Sequence, residues 1–140
     1  VAGDIELRLV ASTTALDTGW IVTVSDIAAD GSPVEHLTSG WLRASLREVD
    51  EDASHPGAPV LPCRTALGVP IGEDVVYRIP LVPNARQFRR GHRIRLTLCS
   101  DDQNPDVPAI MDFRHAPVGT STVNTVRSSS RLLLPVLGDS

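Results

Sequence analysis

The sequence contains no lysine. All 13 of its basic residues are arginines, set against 17 acidic residues for a formal net charge of −4. A nucleic-acid-binding domain carries the opposite balance, so nucleic acid is not an expected partner. Aromatics are scarce as well: Trp20, Trp41, Tyr77, Phe88 and Phe113 are the whole set. Modules that stack on sugars or single-stranded bases need flat aromatic platforms, and few residues here could serve. No apolar run approaches the roughly 18 residues of a membrane span and no stretch reads as a signal peptide, so no membrane partner is expected. The two cysteines, Cys63 and Cys99, form no CxxC pair. They read as thiols of a reducing compartment, with a cytoplasmic setting favoured and Cys99 buried as a small hydrophobe. A single disulfide stays open as an alternative, because spacing alone gives no Cα separation.

What remains is an ordinary globular composition. The chain has 140 residues, 41% hydrophobic and 21% charged. That length suits one domain, which at this size hides roughly two-thirds of its unfolded surface without metal or disulfide staples.

The apolar period is two, not 3.6. Ile5, Leu7 and Leu9 alternate with Glu6 and Arg8, and Trp20, Val22 and Val24 with Thr23 and Ser25. The Asp30-Gly31 pair marks a turn, after which Val34 to Leu37 returns as a hairpin partner. Gly40 to Ser45 reads as a further short strand. Val75 to Leu81 and Ile94 to Leu98 alternate again, and Arg131 to Leu137 is an apolar run too short for a helix. Two long irregular stretches, Glu48 to Gly72 and Ser100 to Thr120, carry prolines at a density that discourages helices. Loops of that length in a compact domain serve function or cover a partner surface. Strands joined by long crossing loops predict an all-β, jelly-roll β-sandwich over residues 1–140, with a closed barrel as the less favoured alternative.

Catalytic chemistry finds little support. No Gly-x-Ser-x-Gly elbow exists, and Gly119 to Val123 lacks the second glycine. His36, His55, His92 and His115 have no metal-ligating partner at helical spacing, which argues against zinc. Asp101, Asp102, Asn104 and Asp106 form a weak calcium candidate. Their loop lacks a mid-loop glycine and a closing glutamate, and the same residues satisfy a turn ahead of Pro105. No cofactor is expected.

Two clusters are more specific. One is Gly40-Trp41-Leu42-Arg43-Ala44-Ser45 with Arg47; the other is Gly91-His92-Arg93-Ile94-Arg95-Leu96. In each, a glycine ahead of a strand allows a tight turn with positive φ. The arginines then project as planar forks suited to carboxylates. Alternation puts Arg93 and Arg95 on the face opposite Ile94, Leu96 and Leu98. The plain reading is a core tryptophan, Trp41, with solvated surface arginines.

These clusters resemble the C-terminal domain of X-Pro dipeptidyl-peptidases and cocaine-esterase-like hydrolases. The turn from Asp26 to Gly31 comes first, then Gly40, Leu42, Arg43, Ala44 and Ser45. Phe88, Gly91, His92, Arg93, Arg95 and Leu96 follow, and Ser130, Arg131, Leu132, Leu134 and Pro135 close the set. One departure is Leu46, where the family often has histidine; any role of that imidazole is missing here.

The resemblance implies a galactose-binding-like jelly roll appended to an α/β-hydrolase domain that owns the Ser-His-Asp triad. Such a parent, of dipeptidyl-peptidase or acyl-esterase type, hydrolyses amides or esters, and no catalytic residue of it matches a position here. The expected partner is that catalytic domain, with Trp41, Arg43, Arg47, His92, Arg93 and Arg95 as docking candidates and the domain helping to shape the substrate pocket. The chain opens mid-pattern, as an N-terminally clipped piece of such a protein would. A strand missing before Val1 would leave a bare sheet edge and a weak homodimer. Two alternatives are a free-standing carbohydrate-binding module on the same fold and an independent esterase.

Overall fold

The computed structural model describes residues 1–100 and 121–138. Seven strands run through them: β1 (Ala2–Thr13), β2 (Gly19–Ile27), β3 (Pro33–Arg43), β4 (Val75–Ala85), β5 (Arg93–Cys99), β6 (Asn124–Val126) and β7 (Arg131–Leu133). One 3-10 turn, Ala44–Leu46, follows β3. Among the described residues there is no α-helix. All pairings are antiparallel. β1 lies between β4 on one side and β6 and β7 on the other, while β2 lies between β3 and β5.

The two sheets close over the period-two residues. Ile5, Leu7, Leu9 and Ala11 of β1 and Tyr77, Ile79 and Leu81 of β4 form one inner face; Trp20, Val22 and Val24 of β2 meet it from the other sheet. The Trp20 and Tyr77 rings touch at 5.5 Å between centroids, tilted by 56°. Each buried aliphatic of this kind contributes about 1.5–3 kcal/mol by leaving water. The expected all-β sandwich is what the chain forms.

Several local expectations change. Val34–Leu37 and Gly40–Arg43 are one strand, β3, because a bulge between Val24 and Ser25 of its partner pairing absorbs Leu37 without ending the ladder. Gly40 therefore makes no turn. A Cβ there would stand 2.3 Å from the Pro80 carbonyl oxygen, so glycine is what lets β3 cross close to β4. Thr38 Oγ1 donates to the Val82 carbonyl at 2.5 Å in the same seam, and Asn84 Nδ2 donates to the Leu37 carbonyl. Gly91 does take the expected positive φ, +85°, in the turn where His92 N–H bonds the Arg89 carbonyl. Trp41 is not a core residue but 43% exposed. Cys99 and Cys63 are free and exposed, so Cys99 is no buried hydrophobe; it stands opposite Ile21, on the face of its sheet that turns away from the core.

The first irregular stretch is irregular in the structure too, and it is tied down. Glu6, with its side chain fully buried, accepts from Arg78 Nε at 2.6 Å, Arg78 Nη2 at 3.2 Å, Arg8 Nε at 3.1 Å and the Gly57 N–H at 2.8 Å. Arg78 also reaches Glu51 and the His55 carbonyl, so one arginine clamps the loop across the four-stranded sheet. The calcium candidates Asp101, Asp102, Asn104 and Asp106, together with His115 and most of the second irregular stretch, lie outside the described residues.

Candidate docking surface

The face of the β3-β2-β5 sheet that turns away from the core gathers four of the six candidate residues. Register decides this. Val22 and Val24 point inward, so Ile21, Thr23 and Ser25 point outward, and residues directly opposite share their face. Trp41, Ile21 and Cys99 form one row; Ser39, Thr23 and Thr97 the next; His36, Ser25 and Arg95 the third. Arg93 pairs with Ile27 beyond them, and Arg43 pairs with Gly19 at the other end. No Asp or Glu stands at any of these outward positions, although the chain as a whole is acidic. Thr23 Oγ1 lies 3.4 Å from Ser39 Oγ, which lies 3.2 Å from His36 Nε2, a short polar chain across the sheet.

The arginines on this face differ in how they are held. Arg93 and Arg95 are exposed and form no hydrogen bond or ion pair among the described residues. Arg43 Nε donates to Asp17 Oδ2 at 2.6 Å, and Asp17 also accepts the Ser45 N–H at 2.9 Å and the Ser45 hydroxyl at 2.8 Å. Burial alone would raise the Asp17 carboxyl, but these bonds and the Arg43 charge outweigh it and hold the group below the ordinary range. Arg43 is thereby posted at the sheet end with its side chain still about half exposed, 54%.

Two candidates go elsewhere. Arg47 donates to the carbonyls of Ala44, Leu67 and Gly68 at 3.2, 2.7 and 3.2 Å, fastening the long loop to the 3-10 turn. His92 Nδ1 sits 2.8 Å from Asp26 Oδ1, on the core side of β2, and Arg86 Nη2 reaches the other Asp26 oxygen at 3.0 Å. Burial pushes the Asp26 carboxyl up, yet the hydrogen bonds from His92 and Arg86 and their charges hold it low. Arg86 also pairs with Glu35. Sequence reading missed Asp26, Arg86, Asp17 and Glu6 as organisers; the one available signal was a carboxylate at an apolar-period position, which Asp26 occupies after Val22 and Val24.

Among the described residues no group of His, Cys, Asp and Glu side chains is placed to hold a metal ion. Fold and surface together define a β-sandwich that presents a basic, aromatic-tipped sheet face. The family model described as the X-Pro dipeptidyl-peptidase C-terminal non-catalytic domain matches residues 1–109, and the chain belongs to that family. Proteins of Mycobacterium bovis and Mycobacterium tuberculosis, each named "Putative serine esterase", are 30% identical to it over 145 residues. Those matches take in 98% of this chain and 22% of each relative, so the chain spans about a fifth of their length. Two crystal structures of a CocE/NonD family hydrolase from Staphylococcus aureus share its fold, with TM-scores of 0.80 and 0.82 at 22% and 20% identity. They cover 90% and 98% of this chain and 25% and 28% of theirs.

Proposed function

We propose that this domain is a non-catalytic accessory unit of a longer serine hydrolase, of dipeptidyl-peptidase or acyl-esterase type. It docks on the α/β-hydrolase catalytic domain through the outer face of the β3-β2-β5 sheet, and its loops help wall the substrate pocket. The observation that carries the reading is charge segregation: Trp41, Arg93 and Arg95 share one sheet face whose outward strand positions carry no carboxylate among the described residues, and Arg43, paired with Asp17, stands at its end. Family membership and the roughly fifth of a relative that the chain spans support an adjoining domain as the acceptor. Carboxylates of that domain would meet the arginine forks, and a desolvated charge-assisted bond there is worth about 1.5–3 kcal/mol.

The test reverses two charges. Arg93→Glu with Arg95→Glu in the longer hydrolase is expected to lower kcat/KM toward a chromogenic acyl ester or an X-Pro anilide, while the isolated domain melts nearly as before. Unchanged turnover, or severe unfolding of the isolated domain, would remove the docking role. The pair of substrates also separates esterase from dipeptidyl-peptidase activity. Trp41, 43% exposed on the outer sheet face, favours a second reading as a carbohydrate-binding module. Saturable binding on a glycan array, abolished by Trp41→Ala, would establish it in place of the first.

A further inference from the structure

Among the described residues strand β5 is an unfinished edge: it pairs with β2 alone, so the amides and carbonyls on its other side have no strand partner. Its inward residues are unfinished in the same sense. Leu96 stands opposite Val24 and Ile94 opposite Asp26, on the core side of the sheet, yet they remain 41% and 43% exposed while Val22 and Val24 are fully buried. Leu98, nearer the sandwich centre, is partly buried against the core. On the reverse side of the same strand Arg93 and Arg95 are exposed and have no ion-pair partner among the described residues. The four residues therefore alternate as cation out, aliphatic in, along one open backbone edge.

We propose that β5 is a strand-acceptor edge whose occupant is an extended polypeptide segment alternating apolar and acidic residues. Such a strand completes the backbone ladder and lays its apolar residues beside Ile94 and Leu96. The same register sets its carboxylates beside Arg93 and Arg95 on the outer face. A second copy of this chain fits poorly. Antiparallel β5-to-β5 pairing centred on Ile94 would set Arg93 and Arg95 of one copy opposite Arg95 and Arg93 of the other, and like charges across strands repel. The segment comes from the remainder of the longer hydrolase, and only in that source does the proposal rest on the function proposed above.

The experiment uses this chain, isotopically labelled, and a capped seven-residue peptide of alternating valine and glutamate. In the free chain the β5 amides that do not bond β2 are expected to exchange rapidly. Adding the peptide is expected to shift and protect them, with a lysine-for-glutamate peptide binding about tenfold more weakly or worse. Arg93→Glu with Arg95→Glu is expected to reverse that preference. Three results would each overturn the proposal: edge amides of β5 already as protected as those of β2, equal binding of the two peptides, or a concentration-dependent dimer whose contacts map to β5. Because probe and protein are a peptide and the isolated chain, failure here leaves the turnover assay of the longer hydrolase standing, and the reverse holds as well.

Discussion

Glu6 is the residue on which the four-stranded sheet and its covering loop both depend. Its fully buried carboxylate is shared by Arg78, Arg8 and the Gly57 N–H. Removing one partner of a buried pair strands the other, at a cost of about 3–5 kcal/mol. Glu6→Gln is therefore expected to lower the urea midpoint sharply and to free the loop for proteolysis near Gly57. Acid should act through the same kind of group. Burial raises the Glu6, Asp17 and Asp26 carboxyls, but their arginine and hydrogen-bond partners bring all three below the ordinary range. A carboxyl whose folded value is depressed stabilises the fold fully above its unfolded value, about 4, and loses that contribution as pH falls through the lower folded value. Urea midpoints are thus expected to hold from neutrality down to about pH 5 and to fall below about pH 4. A midpoint that rises on acidification would contradict these ion-pair assignments.

At the scale of elements, the seam between β3 and β4 and the turn at Gly31 use glycine for different physical reasons. Gly40→Ala drives a Cβ to within 2.3 Å of the Pro80 carbonyl oxygen, which is backbone and cannot rotate away. The two strands must then separate, and a loss of about 3 kcal/mol or more is expected, in line with overpacking. At Gly31 a Cβ would meet nothing within 4 Å, but the residue takes φ +87°, so Gly31→Ala should cost only about 1–2 kcal/mol. Equal losses on thermal melting would mean that the seam is looser than its geometry indicates.

For the whole molecule, the ion-paired clusters among the described residues fasten its loops and turns. Asp17 and Arg47 spend their hydrogen bonds fixing loops at one end of the sandwich, and Asp26, His92 and Arg86 lock the turns at the other. The isolated chain is accordingly expected to show no turnover of a chromogenic acyl ester. Hydrolysis by the chain alone, abolished by a serine-directed reagent, would make it an independent esterase and overturn the accessory role.

The strands themselves were legible in the order of residues, because a half-buried strand must alternate and no helix can satisfy a period of two. Ile5 to Leu9, Trp20 to Val24, Val75 to Leu81 and Ile94 to Leu98 could be placed on that ground alone, and so could the core position of Trp20. β6 was not legible, since three polar-flanked residues, Asn124–Val126, become a strand only by pairing with β1. The burial of Glu6 and the exposure of Trp41 were hidden for a related reason. Burial of a polar residue depends on which partners the fold delivers, and Glu6 meets Arg78 from 72 positions away. Period and turn chemistry are local properties, so sequence alone determined the all-β class, most strand positions and the pairing of Arg93 with Arg95 on one side of β5. Register and the contact of the two sheets are properties of chain segments distant in sequence. Only the tertiary structure could set Trp41 and those arginines on one sheet face, with β5 at its edge among the described residues.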